Sequence, residues 1–412
     1  MTGRLGNPAR LWWLAGAVCV AVAMLLPFVW NHAGADLKVY RLGGSAILAD
    51  PSTLYGARLR DISMPFTYPL FGGLVMVPVS LLPWPVAYAA SIAASLVALV
   101  AIWRLSLRKL LGRTHPAVLV ALVAGSLLLE PVRETLSYGQ INLILCAIVL
   151  YDVLDQKHAS RGVWIGIAAG IKLTPLVFFG LLLVTRQWRA LLQATAAFAA
   201  TAALGFLVAP RTALDYWTHL IADTGRIGGL AYSGNQSWNG FLIRLTGDLA
   251  GGGRAWQAMV GLTVIGGLWV TWLLWRRGEQ LASVSACALI GLLCSPVSWS
   301  HHWVWILPLG ISLLCVLRGR WRVIVGALWF GLFLVAPIWW PPRRNNLELK
   351  WTPLEQVAGN AYLWLALAGV ALLVVASKSG EPVEPAGEVV PAGGGDLQHP
   401  GVGLELVDQA ET

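Results

Sequence analysis

Long apolar runs, each able to cross a lipid bilayer, fill most of this chain. The first covers residues 11–30 and contains no charged residue, and a helix of that length rises about 30 Å, the thickness of the hydrocarbon core. Only 12% of the 412 residues are charged, against about 25% in a soluble domain. Trp residues gather at the ends of the runs, as expected for side chains at a membrane interface. We therefore predict an all-α, polytopic membrane protein.

Ten further apolar runs follow, at 66–103, 116–130, 139–154, 162–185, 188–209, 255–275, 281–294, 303–317, 321–338 and 353–376. Arg and Lys clusters separate alternate runs, and the positive-inside rule puts these clusters in the cytoplasm. Run 162–185 has basic residues at both ends, so we expect a pair of short helices that turns at Pro175. Run 66–103 is broken by Pro78, Pro83 and Pro85, so a short or re-entrant piece should precede a full helix. The sequence thus predicts about twelve transmembrane helices.

The remaining segments then face outward, at 31–65, 131–138, 210–254, 295–302 and 339–352. Most polar side chains fall in these segments, whereas a pore or pump would carry charges at mid-membrane. Residues 37–48 are amphipathic and can lie along the outer interface. Residues 377–412 are rich in Pro, Gly and acidic residues, which predicts a disordered cytoplasmic tail after a transmembrane domain of residues 1–376.

Asp36 stands out because it comes six residues after the first apolar run ends. Acidic residues are costly near hydrocarbon, and those kept at helix ends tend to be functional. A carboxylate at the water–lipid boundary can act as a base on a lipid-borne substrate. The alternative is that Asp36 only caps the helix that begins there, since Asp is a favoured N-cap residue. The two roles are compatible.

His301 and His302 form a second concentration of polar chemistry, with Trp299 and Trp303 on either side. Histidines can transfer protons or hold a phosphate near neutral pH. Adjacent side chains diverge on a helix, and further ligands are missing nearby, so the pair does not predict a metal site. The alternative is that both histidines merely lie at an aromatic membrane interface.

Two other features predict contacts with a polar substrate. Lys172 interrupts an apolar run, and a lysine there needs an anion, for which a lipid phosphate is the natural partner. Asn235-Gln236-Ser237 matches a glycosylation pattern that is frequent by chance. Its two amides are equally able to bind sugar hydroxyls.

Taken in chain order, the motifs form a set: Asp36-x3-Tyr40, Leu54-Tyr55, Phe66-Thr67-Tyr68-Pro69, Gly139-Gln140-Ile141-Asn142, Lys172-Leu173-Thr174-Pro175, Asn235-Gln236-Ser237 and Ser295-Pro296-x2-Trp299-x-His301-His302. Over roughly residues 11–340, this set resembles the actinobacterial polyprenyl-phosphate-mannose-dependent α-mannosyltransferases. The resemblance implies the C-type membrane glycosyltransferase fold, a lipid-linked mannose donor and a phosphatidylinositol mannoside acceptor. It also implies α-1,2 transfer with inversion at the outer side of the plasma membrane. The sequence contains no Asp-x-Asp motif, so we expect a reaction without a metal or other cofactor.

The resemblance also assigns roles to individual residues. Asp36 corresponds to the catalytic base, and His301 or His302 assists at the donor phosphate or the acceptor. The candidates for binding the departing phosphate are Lys172, Arg58, Arg60 and Arg244. The candidates for binding sugar are Tyr40, Gln140, Asn142, Asn235, Gln236 and Trp299.

Two alternatives stay open at this stage. Within the enzyme class, the acceptor is instead the mannan backbone of lipomannan or lipoarabinomannan, which would receive α-1,2 branches. In another class, the chain is a transporter or flippase of a polyprenyl-linked sugar, for which internal repeats are expected and no clear repeat is visible. In each case the partners are lipids and not nucleic acid.

Overall fold

The computed structural model describes residues 8–29, 32–59, 64–112, 114–155, 158–249 and 252–377. Over these ranges the regular secondary structure is helical, apart from a single β-bridge between Asn235 and Trp299. The all-α prediction is therefore confirmed. The chain divides into the units Met1–Ser379 and Gly380–Thr412. The predicted acidic tail, from residue 378 onward, lies outside the described residues and stays a prediction.

The described residues form eighteen α-helices: α1 (Pro8–Val29), α2 (Ala35–Ala49), α3 (Leu70–Ser80), α4 (Trp84–Leu111), α5 (Pro116–Ser126), α6 (Glu130–Tyr138), α7 (Asn142–Leu154), α8 (Val163–Ile171), α9 (Val177–Val184), α10 (Trp188–Val208), α11 (Pro210–Thr218), α12 (Trp238–Thr246), α13 (Gly253–Arg276), α14 (Gln280–Cys294), α15 (Ile306–Val316), α16 (Gly319–Val335), α17 (Pro353–Gly359) and α18 (Ala361–Ala376). Short 3₁₀ helices lie at Pro51–Thr53, Thr174–Leu176, Leu220–Ala222, Thr224–Arg226, Ser300–Trp305, Pro337–Trp339 and Leu347–Lys350.

Within the described residues, five helices are long and apolar enough to cross a membrane: α1, α4, α10, α13 and α16. The number rises to seven if each of two bent pairs is one span. The pair α5 and α6 bends by 77°, and the pair α17 and α18 bends by 67°. The other apolar helices, among them α7, α14 and α15, are shorter than a full span. The chain is therefore a helical protein with several membrane-length helices, and about twelve spans stays a prediction.

Both interrupted apolar runs break into two helices. Run 162–185 forms α8 and α9, and the break begins at Lys172, whose backbone is extended (φ −146°, ψ 130°). The predicted turn at Pro175 lies just beyond, at the start of a 3₁₀ turn, because proline fits a first helical turn but cannot continue the preceding ladder. Run 66–103 forms the short helix α3 and then the long helix α4. The division of each run into two helices is therefore confirmed.

Two hydrophobic clusters organise the packing. The larger one surrounds α14, a helix that is buried along nearly its whole length and packs against α9, α13 and α15. The smaller one lies under α2, which buries Leu37, Tyr40 and Ile47 and packs against α3. Such a stripe of buried side chains is what an amphipathic helix presents to its partner. Helix α6 contacts α2, α4 and α7 and so brings the two clusters together.

Candidate active site

A cavity of about 1000 Å³ lies where these elements meet. Ligand pockets usually measure about 300–1,000 Å³, so this one is large enough for a sizeable polar headgroup. Its walls come from α2, α6, the break after α8, the segment 294–302 and the segment 339–344. The predicted site residues that line it are Asp36, Tyr40, Gln140, Lys172, Trp299, His301 and His302.

Asp36 lies in the first turn of α2, where the helix dipole favours a negative charge. The N-cap of α2 is Gly34, which adopts a left-handed conformation (φ 68°), and no side chain caps this helix. The prediction that Asp36 is an N-cap is therefore wrong. Its carboxylate instead points into the cavity and keeps 16% of its side chain exposed, so a substrate group can reach it.

A chain of hydrogen bonds orients the Asp36 carboxylate. Gln140 Nε2 donates to Asp36 Oδ2 across 2.7 Å, and Gln140 Oε1 accepts a bond of 2.5 Å from the Tyr40 hydroxyl. Tyr40 and Tyr68 are linked through their hydroxyls at 3.1 Å. Burial raises the pKa of Asp36 to about 6, against the lowering effects of the Gln140 hydrogen bond and of the nearby Lys172 and His32 charges. A carboxylate with such a pKa is a stronger base than an ordinary one.

Gly139 places Gln140 against Asp36. It ends α6 in a left-handed conformation (φ 71°), and a Cβ at this position would lie 2.7 Å from the Leu37 Cβ of α2. Only glycine allows this conformation and this close approach together. The pair Gly139-Gln140 thus converts the end of α6 into a support for the carboxylate on α2.

The two histidines of the 3₁₀ segment Ser300–Trp305 point to different partners. His301 Nε2 lies 4.0 Å from Asp36 Oδ2, is buried, and has no hydrogen-bond partner among the described residues. His302 Nε2 lies 3.3 Å from the Lys172 ammonium. The backbone carbonyl of His301 accepts bonds from Thr135 and Asn142, which fixes the segment. An unpaired imidazole nitrogen beside a carboxylate leaves a place for a hydroxyl that bonds to both.

Lys172 is a buried cation at the cavity wall. Its ammonium donates to Asn142 Oδ1 at 2.8 Å, contacts His302, and lies 5.3 Å from the centre of the Tyr68 ring. These partners are an amide, an imidazole and an aromatic face, and none of them neutralises the charge at contact distance. A buried charge in such surroundings favours an anion in the cavity.

Aromatic side chains form another wall. The Trp299 and Tyr232 rings lie 6.2 Å apart, and the Tyr232 and Trp339 rings lie 5.8 Å apart. All three residues line the cavity. Flat aromatic faces bearing polar edges suit ligands that are both apolar and hydroxylated, such as sugar rings.

The other predicted substrate ligands lie elsewhere. Asn142 supports Lys172 and the His301 carbonyl from behind the cavity wall. Asn235 and Gln236 are fully buried, and their side-chain amides donate to backbone carbonyls. Arg58 is exposed and donates to the neighbouring carbonyls of Tyr55 and Ala57. Arg60 lies outside the described residues.

Arg244 also lies away from the cavity lining, and the structure gives it a packing role. It is 1% exposed and donates to Asn360 Oδ1 and to the backbone carbonyls of Ala231, Tyr232 and Asn235. These bonds join α12 to the segment before it and to the start of α18. The basic residue expected to meet a phosphate instead holds the protein together.

Sequence reasoning left several cavity residues unassigned: His32, Arg133, Glu134, Tyr138, Arg226, Arg343 and Arg344. His32 Nε2 lies 2.7 Å from Glu134 Oε2, and its ring stacks on Tyr138 with centroids 4.0 Å apart. The available signal was their position in the predicted outward segments, which they share with Asp36, Trp299 and the histidine pair. The sequence offers no spacing rule that joins His32 to α6.

The geometry supports one kind of chemistry. A carboxylate of raised pKa and an imidazole share a space on one side of the cavity, and a buried ammonium with a second imidazole lies beside them. Such a site can take a proton from a hydroxyl while it stabilises an anionic leaving group.

Comparison with known proteins gives a consistent picture. The family described as Glycosyltransferase family 87 matches residues 66–296. This range includes Gln140 and Lys172 and leaves out Asp36 and the histidine pair. No solved structure matches the chain.

Curated relatives match more of the chain. A polyprenol-phosphate-mannose-dependent alpha-(1-2)-phosphatidylinositol mannoside mannosyltransferase of Mycobacterium tuberculosis is 34% identical over 382 residues, which are 87% of this chain and 88% of that protein. A polyprenol-phosphate-mannose-dependent alpha-(1-2)-phosphatidylinositol pentamannoside mannosyltransferase of Mycolicibacterium smegmatis is 36% identical over 349 residues, 80% of this chain and 83% of that protein. A protein of that second kind from Mycobacterium tuberculosis is 34% identical over 322 residues, 74% of each chain.

Proposed function

Because this chain belongs to glycosyltransferase family 87, we propose that it transfers mannose from polyprenyl-phosphate-mannose to a phosphatidylinositol mannoside. The names of its relatives support this donor and this acceptor class. The observation that carries the proposal is the approach of Asp36 to His301 in the same cavity as the Lys172–His302 pair. A base and an anion site side by side are what transfer from a sugar phosphate requires.

In the proposed reaction, the acceptor hydroxyl lies between Asp36 and His301. Its oxygen attacks C1 of the mannose as its proton passes to the Asp36 carboxylate. The bond between C1 and the phosphate oxygen breaks, and its electron pair leaves with polyprenyl phosphate. Lys172 and His302 stabilise the charge that develops on that phosphate. Attack from the face opposite the leaving group inverts C1, so a β-linked donor gives an α-linked product.

Sugar binding in this proposal falls to the cavity walls. Tyr40 and Gln140 orient the base, and Trp299 offers a face to a sugar ring. No metal or other cofactor is required, because Lys172 supplies a positive charge to the leaving group and the sequence has no Asp-x-Asp motif. The α-1,2 linkage follows the relatives' names.

We place the cavity at the outer side of the plasma membrane, in a multi-pass protein of the C-type glycosyltransferase fold. The distribution of basic clusters supports this orientation, since it puts Asp36, Lys172 and the histidine pair on the side away from the cytoplasm. Short apolar helices in pairs, such as α8 with α9, bring the proposed number of spans to about twelve. Helix α2 would then lie along the outer interface.

The test is an assay of purified protein with polyprenyl-phosphate-mannose and a phosphatidylinositol mannoside. We expect a product that is heavier by one hexose and sensitive to an α-1,2-mannosidase. Asp36→Asn serves as the inactive control, and we expect it to lose about 10²–10⁴-fold in rate while it still folds into the membrane.

The same assay separates the alternatives. Lipomannan offered as the acceptor would be extended in preference if the enzyme branches a mannan backbone. Movement of the donor lipid across a vesicle membrane without a longer product would indicate a flippase. Normal turnover by Asp36→Asn would remove the base assignment.

A further inference from the structure

A basic segment at the cavity wall has no part in the reaction described above. Arg343 and Arg344 line the cavity on the segment between the 3₁₀ turn Pro337–Trp339 and the 3₁₀ turn Leu347–Lys350. Both side chains are exposed, in contrast to the buried Lys172. We call these two residues the rim arginines.

The backbone that carries the rim arginines is strained. Arg344, Asn345 and Asn346 are consecutive residues with positive φ angles of 79°, 51° and 59°. Residues other than glycine rarely adopt positive φ angles, and a run of three such residues is unfavourable. Strain of this kind persists only where surrounding contacts impose it, and it gathers at ligand sites.

The surrounding contacts are present. The backbone N–H of Arg344 donates to Glu348 Oε1, and Glu348 is buried. Trp351 Nε1 donates to the carbonyl of Pro342 across 2.7 Å. The segment is therefore held by contacts of Pro342 and of the Arg344 backbone, and neither contact uses an arginine side chain.

The Arg344 guanidinium is available to a ligand, and the Arg343 guanidinium keeps N–H donors beyond the one it uses on Trp339. Arg343 lies over the Trp339 ring at 5.2 Å and donates to the Trp339 carbonyl. In the part of the chain that the structure describes, no hydrogen bond or ion pair involves the Arg344 guanidinium. In contrast to Arg344, Arg226 at the same cavity uses its guanidinium on the carbonyls of Tyr55 and Phe66. Guanidiniums with free N–H donors bind phosphate through charge-assisted hydrogen bonds, and both of these residues line the same cavity.

We propose that the rim arginines bind the phosphodiester of the acceptor lipid. The inference rests on the proposed function and adds a recognition element to it. The donor phosphate is bonded to the reacting C1, so it has to lie close to Asp36, on the side of the cavity where Lys172 and His302 lie. The acceptor phosphate is separated from the reacting hydroxyl by the sugars of its headgroup, so it has to lie away from Asp36. An exposed pair of cations at the edge of the same cavity suits the second phosphate.

The test compares an acceptor that carries a phosphate with one that does not. The variant is Arg343→Gln with Arg344→Gln, assayed with phosphatidylinositol mannoside and with a neutral dialkylglycerol bearing the same mannosides. We expect the KM for the phosphatidylinositol mannoside to rise at least about tenfold, the contribution of one charge-assisted hydrogen bond. The KM for the neutral acceptor and for the donor should not change. The variant Arg343→Lys with Arg344→Lys keeps both positive charges, so it should retain much of the affinity for phosphatidylinositol mannoside.

Arg254→Gln is the matched control, since Arg254 is an exposed arginine in the first turn of α13 that lies outside the cavity lining. Equal effects on the charged and neutral acceptors would overturn the proposal, and a raised KM for the donor alone would assign the rim to the donor phosphate.

Binding of both acceptor lipids to the protein in detergent, without donor, gives a second measurement. This binding measurement tests the rim arginines even if the protein transfers no mannose. A lack of transfer would refute only the proposed function. Equal binding by wild type and double variant would refute the rim.

Discussion

Gln140 Nε2 donates a hydrogen bond of 2.7 Å to Asp36 Oδ2, and the same amide accepts from Tyr40 through its oxygen. The tyrosine therefore fixes which end of the amide faces the carboxylate. A hydrogen bond donated to the charged form of an acid stabilises that form. Gln140 thus keeps Asp36 ionised in a place where burial favours the protonated acid.

Replacing Gln140 by Leu removes this donor and should raise the pKa of Asp36 above its value of about 6. We expect the acid limb of the kcat/KM profile to move to higher pH, and the maximal rate to fall by about 10-fold or more, the usual contribution of a hydrogen bond to a charged group. The measurement is mannosyl transfer across pH. Gln193→Leu is the control, because Gln193 bonds to the Ala159 carbonyl outside the cavity lining. An unchanged acid limb in Gln140→Leu would contradict the role of Gln140 in keeping Asp36 ionised.

The wild-type enzyme should itself lose activity at an unusually high pH for a carboxylate base. The base works only when it is deprotonated, so the rate falls as pH falls through the pKa. With the pKa of Asp36 raised to about 6 by burial, kcat/KM should drop tenfold for each pH unit below about 6. An acid limb of the kcat/KM profile near pH 3.8, the ordinary pKa of an Asp side chain, would show that the carboxylate is not buried in the working enzyme.

The two histidines should give different kinetic signatures, because they have different neighbours. His302 contacts Lys172, which lies beside the leaving phosphate in the proposed reaction, so His302→Ala should lower kcat/KM for the donor. His301 faces Asp36, so His301→Ala should mainly lower kcat, by about 10²-fold if it shares the transferred proton or orients the hydroxyl. Separate steady-state measurements with each substrate varied distinguish the two. The pair would be structural if neither substitution slowed transfer.

Lys172→Met should separate function from stability. An apolar side chain of similar length removes a buried charge but leaves Asn142 Oδ1 without its donor, so the thermal midpoint should change little. Transfer should fall by about 10²–10³-fold, the loss seen when one donor to a developing charge is removed. The exposed Lys350→Met is the control for loss of a positive charge. A lower thermal midpoint with normal turnover would instead make Lys172 a structural residue.

Much of the site could be predicted from the sequence because its residues are polar groups within or close to apolar runs. Lys172 interrupts an apolar run, Asp36 and the histidine pair lie in outward segments next to apolar runs, and all of them line the cavity. Gln140 could be found because the motif Gly139-Gln140-Ile141-Asn142 belongs to the set that carries the family resemblance. The helical fold could be predicted for the same reason, since the apolar runs leave few other structures.

Residues whose partners come from distant parts of the chain were harder to assign. Asn235, Gln236 and Arg244 look like ligands in sequence, yet their polar atoms meet carbonyls or amides that only tertiary packing brings close. The rim arginines and His32 have no periodicity or spacing that marks them. The helix that starts at Ala35 takes its N-cap from Gly34, so the sequence preference of Asp for that position gave the wrong cap.

Substitution of Arg244 tests whether this residue packs the fold or binds substrate. It is fully buried and donates to Asn360 and to three backbone carbonyls, so Arg244→Met would leave these acceptors unsatisfied. We expect a loss of roughly 3 kcal/mol in stability, the scale for breaking a buried charged network. The measurement is the thermal midpoint of the purified protein, with the exposed Arg254→Met as the control. The folded fraction should keep a normal KM for donor and acceptor, because Arg244 does not line the cavity. A normal midpoint with a raised donor KM would return Arg244 to the substrate site.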